Sequence, residues 1–259
     1  MIDYQKVKDD AVAFIKTFFS PEYHSADCNA VIGISGGKDS TVAAALCAEA
    51  LGPDRVIGVL MPCGEQSDID DSREVCSALG IANYTVNIGP MFDNLVSQFA
   101  AAGITPTEQM LINAKPRLRM TTLYAIAQSH NGRVCNNTNL SELFVGYGTK
   151  FGDLAGDFAL FRYLRKTDVV EIGKLCTAIP QRLIVKPPSD GLTGMTDEDK
   201  FGFTYEQLDN YLLTGTGDED VWSKIREMHL RAGYCQKSIP TNNVFHPRSK
   251  ISGFRTALW

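Results

Sequence analysis

The stretch Ala30-Val31-Ile32-Gly33-Ile34-Ser35-Gly36-Gly37-Lys38-Asp39-Ser40 runs from an apolar segment of strand length straight into a glycine-rich turn. Behind it, Thr41 to Leu51 is rich in alanine and helical in pattern, with Gly52 as its stop. Strand, glycine turn and helix in that order make an anion cradle. Glycines let the backbone approach an anion closely, and a helix N-terminus offers free N–H groups and the positive end of its dipole. The hydroxyls of Ser35 and Ser40 add donors. Ser35, Gly36, Gly37, Lys38, Asp39 and Ser40 are therefore the expected phosphate-binding residues. Asp39 opposes an anion unless it holds Mg²⁺, which then bridges to phosphate oxygens. A Walker A loop fails here, because Asp39 follows Gly37-Lys38 and Ile32 stands five before Gly37. A G-x-G-x-x-G fingerprint fails as well, since Gly33 is followed by Ile34 and Ser35. The bland alternative is a plain glycine turn with a Ser or Asp cap, and the strand and helix on the right sides argue against it.

Outward from that turn the chain alternates. Tyr4, Val7, Ala11, Phe14, Ile15 and Phe18 recur at helical spacing ahead of it. Behind it, Arg55 to Met61 reads as a strand ended by Pro62. Ser67 to Leu79 reads as a helix with Ser67 as N-cap, and Tyr84 to Ile88 as a third strand. Helices follow at about 90–102 and 106–130, the second interrupted at Pro116, and Arg133 to Cys135 begins a fourth strand. Such alternation predicts an α/β fold: a doubly wound parallel sheet with flanking helices, its ligands at the carboxyl ends of the strands. The region 145–160 carries four glycines and reads as an ordered loop. Lys186 to Gly191 is a second loop, Thr193 to Asp199 is polar, and helices resume at about 204–213 and 218–231 before an irregular tail from Ile239. No repeat or linker divides the chain, so residues 1–259 are expected to form one domain.

Composition narrows the classes. The chain has 259 residues, 44% of them hydrophobic, enough for an ordinary globular core. Its formal charge of −5 gives no blanket attraction to nucleic acid or an anionic membrane. A polyanionic ligand then needs local positive charge. Seven cysteines are scattered with no C-x-x-C pair, which disfavours zinc ribbons and suits a reducing compartment. No signal peptide and no apolar run of membrane-spanning length is present. A cytoplasmic protein with neither nucleic-acid nor membrane partners is expected.

The turn Gly33-Ile34-Ser35-Gly36-Gly37-Lys38-Asp39-Ser40 resembles the PP-loop of N-type ATP pyrophosphatases, and later segments choose within that group. Asn113-Ala114-Lys115-Pro116-Arg117-Leu118-Arg119-Met120 resembles the N-x-K-x-R-x-R-M segment of NAD synthetases. Asn139-Leu140-Ser141-Glu142 and Thr149-Lys150-Phe151-Gly152-Asp153 with Asp157 resemble their N-x-S-E and T-K-[YF]-G-D-x-x-x-D segments. Leu164 to Val169 resembles L-x-K-x-x-V, and Pro188 to Leu192 resembles P-[ST]-A-D-L. The matches keep their order from about residue 33 to 240. The resemblance implies an adenine nucleotide alpha-hydrolase-like fold and the ammonia-dependent form, without a glutaminase domain. It implies ATP-dependent amidation of deamido-NAD, through an adenylate, with release of pyrophosphate and AMP.

The same resemblance implies residue roles. Asp39, Lys166 and Asp157 are the catalytic set, and Asp39 and Glu142 hold Mg²⁺. Asn137, Lys166 and Ser189 join the PP-loop in contacting ATP. Arg117, Lys150, Asp157, Gln236 and Lys237 contact deamido-NAD, in a homodimer whose substrate site lies at the subunit interface. Each has a plainer reading: Glu142 as a helix-start acid, Lys166 as a surface lysine, and Lys150 and Asp157 as a loop ion pair; Arg119 is expected to serve as a structural ion pair. Arg117 and Arg119 are two apart, about 200° around a helix, and cannot share a face. Three departures stand out. Asn137 occupies a position where a threonine is usual. The acid of P-[ST]-A-D-L is displaced to Asp190. The C-terminal H-K-x-x-x-P segment reads Gln236-Lys237-Ser238-Ile239-Pro240. Two rivals stay open: another ATP pyrophosphatase, tRNA-modifying or amide-forming, and a non-catalytic ATP-binding module.

Overall fold

The computed structural model describes residues 2–23, 25–66, 69–186, 196–236 and 245–247, with 233–236 described as backbone only. Five strands form one sheet: β1 (Asn29–Gly33), β2 (Val56–Leu60), β3 (Ala82–Thr85), β4 (Gly132–Asn136) and the two-residue β5 (Phe158–Ala159). Their order is β3-β2-β1-β4-β5, and every pairing is parallel. The chain moves outward from β1 to β3 and then returns to the other side of β1 for β4. The switch point lies between the carboxyl ends of β1 and β4, where such sheets bind ligands.

Side-chain alternation along the strands divides the core. Ala30 and Ile32 of β1, Val56 and Leu60 of β2 and Cys135 of β4 enter one large cluster. That cluster is closed by α1 (Tyr4–Phe18), α2 (Lys38–Leu51), α3 (Ile69–Leu79), α7 (Lys166–Leu175) and α8 (Gln181–Val185). Val31, Ile57, Val59 and Val134 point the other way, against Met120, Leu123 and Ala127 of α5 (Glu108–Ser129). This second face is thinly covered. Edge strand β3 is exposed along its length, and α4 (Gly89–Ala101), although rich in apolar residues, buries only Gly89. A third cluster joins α6 (Leu140–Val145) to α10 (Tyr205–Thr214) and α11 (Glu219–Gln236), with Phe201 of α9 (Asp197–Phe201).

The expected alternation is present, with corrections. Helix α5 runs unbroken through Pro116. Proline at an interior position removes one N–H and kinks but does not have to end a helix when its flanks are packed. The third strand spans Ala82–Thr85; past it Val86 N and Ile88 N still donate to Leu60 O and Pro62 O on the β2 side, and Asn87 Oδ1 accepts from Gly89 N at the start of α4. Helix α2 begins at Lys38 rather than Thr41, which puts Lys38 and Asp39 in its first turn. Helices α6 to α9 and β5 were not anticipated; all are short, and periodicity has little to register in two to ten residues. Ser67, proposed as an N-cap, lies outside the described residues. No helix among the described residues is long and apolar enough to cross a membrane.

Candidate active site

The glycine turn after β1 is held open by its own hydroxyls. Ser40 Oγ accepts from Ser35 N at 3.2 Å and donates to Gly37 O at 3.1 Å, while Ser35 Oγ accepts from Gly37 N at 3.2 Å. Thr41 Oγ1 also donates to Gly37 O, at 2.8 Å. Gly36 has φ +76°, and a Cβ there would meet Asp71 Cβ of α3 at 2.9 Å, so this position requires glycine twice over. Helix α2 starts at Lys38 with Gly37 as N-cap and no side chain capping it. Its first-turn amides are thus left for an anion.

Three charged residues from three elements converge beside the turn. The Lys166 ammonium, from the first position of α7, donates to Asp39 Oδ2 of α2 and to Glu142 Oε1 of α6, the latter at 3.0 Å. The Tyr205 ring lies 5.0 Å from the same nitrogen. Asn139 caps α6, its Oδ1 accepting from Glu142 N at 3.0 Å while Glu142 Oε2 accepts from Asn139 N at 3.2 Å. Its Nδ2 donates to Asp39 Oδ1 at 3.3 Å. Burial pulls the Lys166 pKa down, but the Asp39 and Glu142 charges outweigh it and leave the pKa raised. Burial pushes Glu142 up to about 7, with Lys166 pulling against it and Asp39 adding to it. Lys38 is lowered, first by burial and then by Lys166.

This triad sets two carboxyl groups against one ammonium in an enclosed site. Hard oxygen donors of this kind fit Mg²⁺, which takes one or two protein carboxylates and completes its shell with phosphate and water. Among the described residues no group of three or more His, Cys, Asp or Glu is placed to hold a metal ion. Asp39 and Glu142 are the residues that would hold the ion.

Asn137, on the loop after β4, donates from Nδ2 to Gly33 O at 3.4 Å. A carbonyl on that side fixes the amide orientation, and Oδ1 is left buried without a partner. It is an acceptor at the switch point waiting for a donor. The other expected substrate residues form a second neighbourhood along α5. Arg117 Nε donates to Lys150 O at 3.1 Å, and the Lys150 ammonium lies 5.0 Å from the Phe151 ring. Asp157 accepts from Val134 N at 2.7 Å and from Tyr124 Oη at 3.3 Å, and it lines a concavity with Tyr124, Gln128 and Arg133. Arg119 faces away from Arg117, as the helical spacing required, and donates to Met61 O at 3.1 Å.

Ser189 and Lys237 lie outside the described residues, and Gln236 is described only as the last backbone position of α11. Two site residues were missed from sequence. Asn139 sat in a quoted segment without being given a role there. Tyr205 gave no signal beyond being aromatic at a helix start; its place under Lys166 depends on how α10 docks.

A parallel α/β sheet, a self-braced PP-loop at its switch point and an acidic–basic triad beside that loop define a nucleotide-binding protein of the PP-loop class. Comparison with known proteins agrees and goes further. The NAD synthase family model matches residues 10–238, so the chain belongs to the NAD synthase family. It is 43% identical over 204 residues to an NH(3)-dependent NAD(+) synthetase of Thermococcus kodakarensis, covering 78% of this chain and 79% of that one. An NMN synthetase structure from Francisella tularensis superposes with TM-score 0.83 and 32% identity, over 92% of this chain and 97% of the other. An NH3-dependent NAD synthetase from Campylobacter jejuni superposes with TM-score 0.72 and 26% identity, over 90% and 96%.

Proposed function

We propose that this chain is a ligase that amidates deamido-NAD with ammonia at the expense of ATP. The observation that carries this reading is the Asp39–Lys166–Glu142 triad beside the PP-loop, in a chain of the NAD synthase family. A carboxylate is a poor acceptor for ammonia, and adenylation gives it a leaving group. The nicotinate carboxylate attacks the α-phosphorus of ATP, pyrophosphate leaves, ammonia then adds to the acyl adenylate, and AMP departs. The work of the protein is alignment and charge neutralisation. The PP-loop amides and the α2 N-terminus hold the departing pyrophosphate, with Ser35, Lys38 and Ser40 lending donors. Lys166 neutralises charge on the phosphates. Asp39 and Glu142 would hold Mg²⁺, which when bound would supply electrostatic stabilisation of the same group. Asn137 Oδ1 accepts a donor from ATP. Arg117, Lys150 and Asp157 hold deamido-NAD, with Ser189 on the ATP side and Gln236 and Lys237 on the substrate side completing the set.

The chain acts as a homodimer in this reading. Helix α4 leaves Met91 and its neighbours Phe92, Leu95, Val96 and Phe99 exposed or half-exposed, and Ile104 and Ile112 are exposed nearby. A second copy covering this thin face of the sheet would bury them next to Arg117 and Asp157. Free thiols at the described cysteines suit the cytoplasm.

A second reading rests on the likeness to the NMN synthetase: the acceptor is nicotinate mononucleotide, which presents the same carboxylate. One assay tests both. The protein is incubated with ATP, Mg²⁺, ammonium and either acceptor, and NAD, NMN, AMP and pyrophosphate are followed. NAD formation with higher kcat/KM for deamido-NAD supports the first reading. Preference for the mononucleotide supports the second, and absence of both amides with folded protein refutes both.

A further inference from the structure

Helix α7 begins with Lys166, and its N-cap position is held by Arg165. Arginine has no acceptor, so it cannot do at a helix start what Ser, Asp or Asn do. The acceptors for the first-turn amides come instead from two other helices. Lys166 N donates to Ser141 Oγ of α6 at 2.9 Å, and Thr167 N donates to Asp209 Oδ2 of α10 at 2.8 Å. Ser141 Oγ in turn donates to Asp209 Oδ1. Ser141 is 0% and Asp209 2% exposed, so no water competes for these bonds. Arg165 is occupied elsewhere, donating from Nε and Nη2 to Asp168 at 2.8 and 2.7 Å. A buried carboxylate is costly unless its lone pairs are met and positive charge is near. Asp209 satisfies that condition through the hydroxyl, the amide and the positive end of α7.

We propose that Asp209 is a positioning residue for the NAD-forming reaction. Through Ser141 and the first turn of α7 it fixes the backbone from which Lys166 reaches Asp39 and Glu142. The inference rests on the reading that Lys166 acts on the phosphates of ATP. It gives the third cluster of the fold a part in catalysis: α10 supplies the cap of the helix that bears the catalytic lysine. It also explains the serine of the Asn139-Leu140-Ser141-Glu142 segment, which links Asp209 to the Lys166 amide.

Aspartate is required here for a hydrogen-bonding reason. Both oxygens of residue 209 face donors, Thr167 N and the Ser141 hydroxyl. In Asp209→Asn, Oδ1 keeps Thr167 N, and Nδ2 turns Ser141 Oγ into an acceptor twice over. The serine proton is then stranded in a dry site, and the first turn of α7 shifts to relieve it.

The test compares kcat and KM for ATP, and the melting point, in Asp209→Asn, Ser141→Ala, the double variant and Lys166→Met. Asp209→Asn and Ser141→Ala are expected to lower kcat roughly ten- to a hundredfold with KM for ATP changed less than about threefold. The double variant is expected to be no slower than the worse single one, because the two act through one chain of bonds. Folded Asp209→Asn with parental kcat overturns the proposal. So do multiplied losses in the double variant, or a drop in folded protein with full specific activity in the remainder. If Asp209→Asn does not fold, Ser141→Ala carries the same comparison, and failure of both to fold also overturns it. Lys166→Met separates the layers. An inactive Lys166→Met beside a fully active Asp209→Asn sinks only the positioning role, whereas an active Lys166→Met removes the Lys166 reading on which it rests.

Discussion

Replacing Lys166 by methionine leaves two carboxylates facing one another with no cation between them. Lys166 is 5% exposed, and the Asp39 and Glu142 side chains that bond its ammonium are 16% and 14% exposed. Removing one partner of a buried ion pair costs about 3–5 kcal/mol, and the residual exposure of the carboxylates places this site near 3 kcal/mol. In a chain of this size that loss lowers the melting point by roughly 6–12 °C. The loss has a definite pH dependence. Burial pushes Glu142 from 4.5 up to about 7. Between those values the folded state binds more protons than the unfolded one. The Glu142 contribution to stability is therefore fully present below about 4.5 and is lost as pH rises through about 7. Without Lys166 the attraction opposing that rise is gone, so the deficit of the variant widens toward alkaline pH. Urea denaturation of parent and variant at about pH 5.5 and about pH 8 reads both effects. Equal stability at the higher pH, or a deficit that does not change between the two, would refute the ion-paired triad.

Asp39→Asn keeps the fold and lowers ATP–pyrophosphate exchange by at least about a hundredfold, since a metal ligand and a Lys166 partner are lost together; exchange of labelled pyrophosphate with circular dichroism as control checks it. Gly36→Ala places a Cβ 2.9 Å from Asp71 Cβ at φ +76°; a stability loss above about 1–2 kcal/mol, with a raised KM for ATP, is expected from denaturation and kinetics. Asn137→Ala removes a buried, unpartnered acceptor. The unliganded protein is expected to melt within about 2 °C of the parent while KM for ATP rises about tenfold, because the Oδ1 bond is made only with the nucleotide and the Nδ2 bond to Gly33 O is long, at 3.4 Å.

The PP-loop was legible because it is local. A strand of five residues, the glycines and the helix behind them are contiguous, and their chemistry follows from backbone freedom and helix-end amides. The order of the later segments, from Asn113 to Val169, likewise named the family before any coordinates. Apolar runs carried the first two strands, alanine-rich composition closed by Gly52 carried α2, and periodicity carried α1. It could not carry α6 to α9, which are too short, nor the passage of α5 through Pro116, which packing against the sheet decides.

Sequence alone determined the anion cradle, the parallel α/β class and the candidates Asp39, Glu142 and Lys166. Only the tertiary structure brought these three, separated by up to 127 positions, onto one ammonium. It alone set Tyr205 beneath that ammonium and Asp209 behind it. The reason is physical. A turn is specified by torsions and hydrogen bonds between near neighbours, whereas a buried ion triad is specified by which helices meet, and that is settled by the packing of side chains drawn from the whole chain.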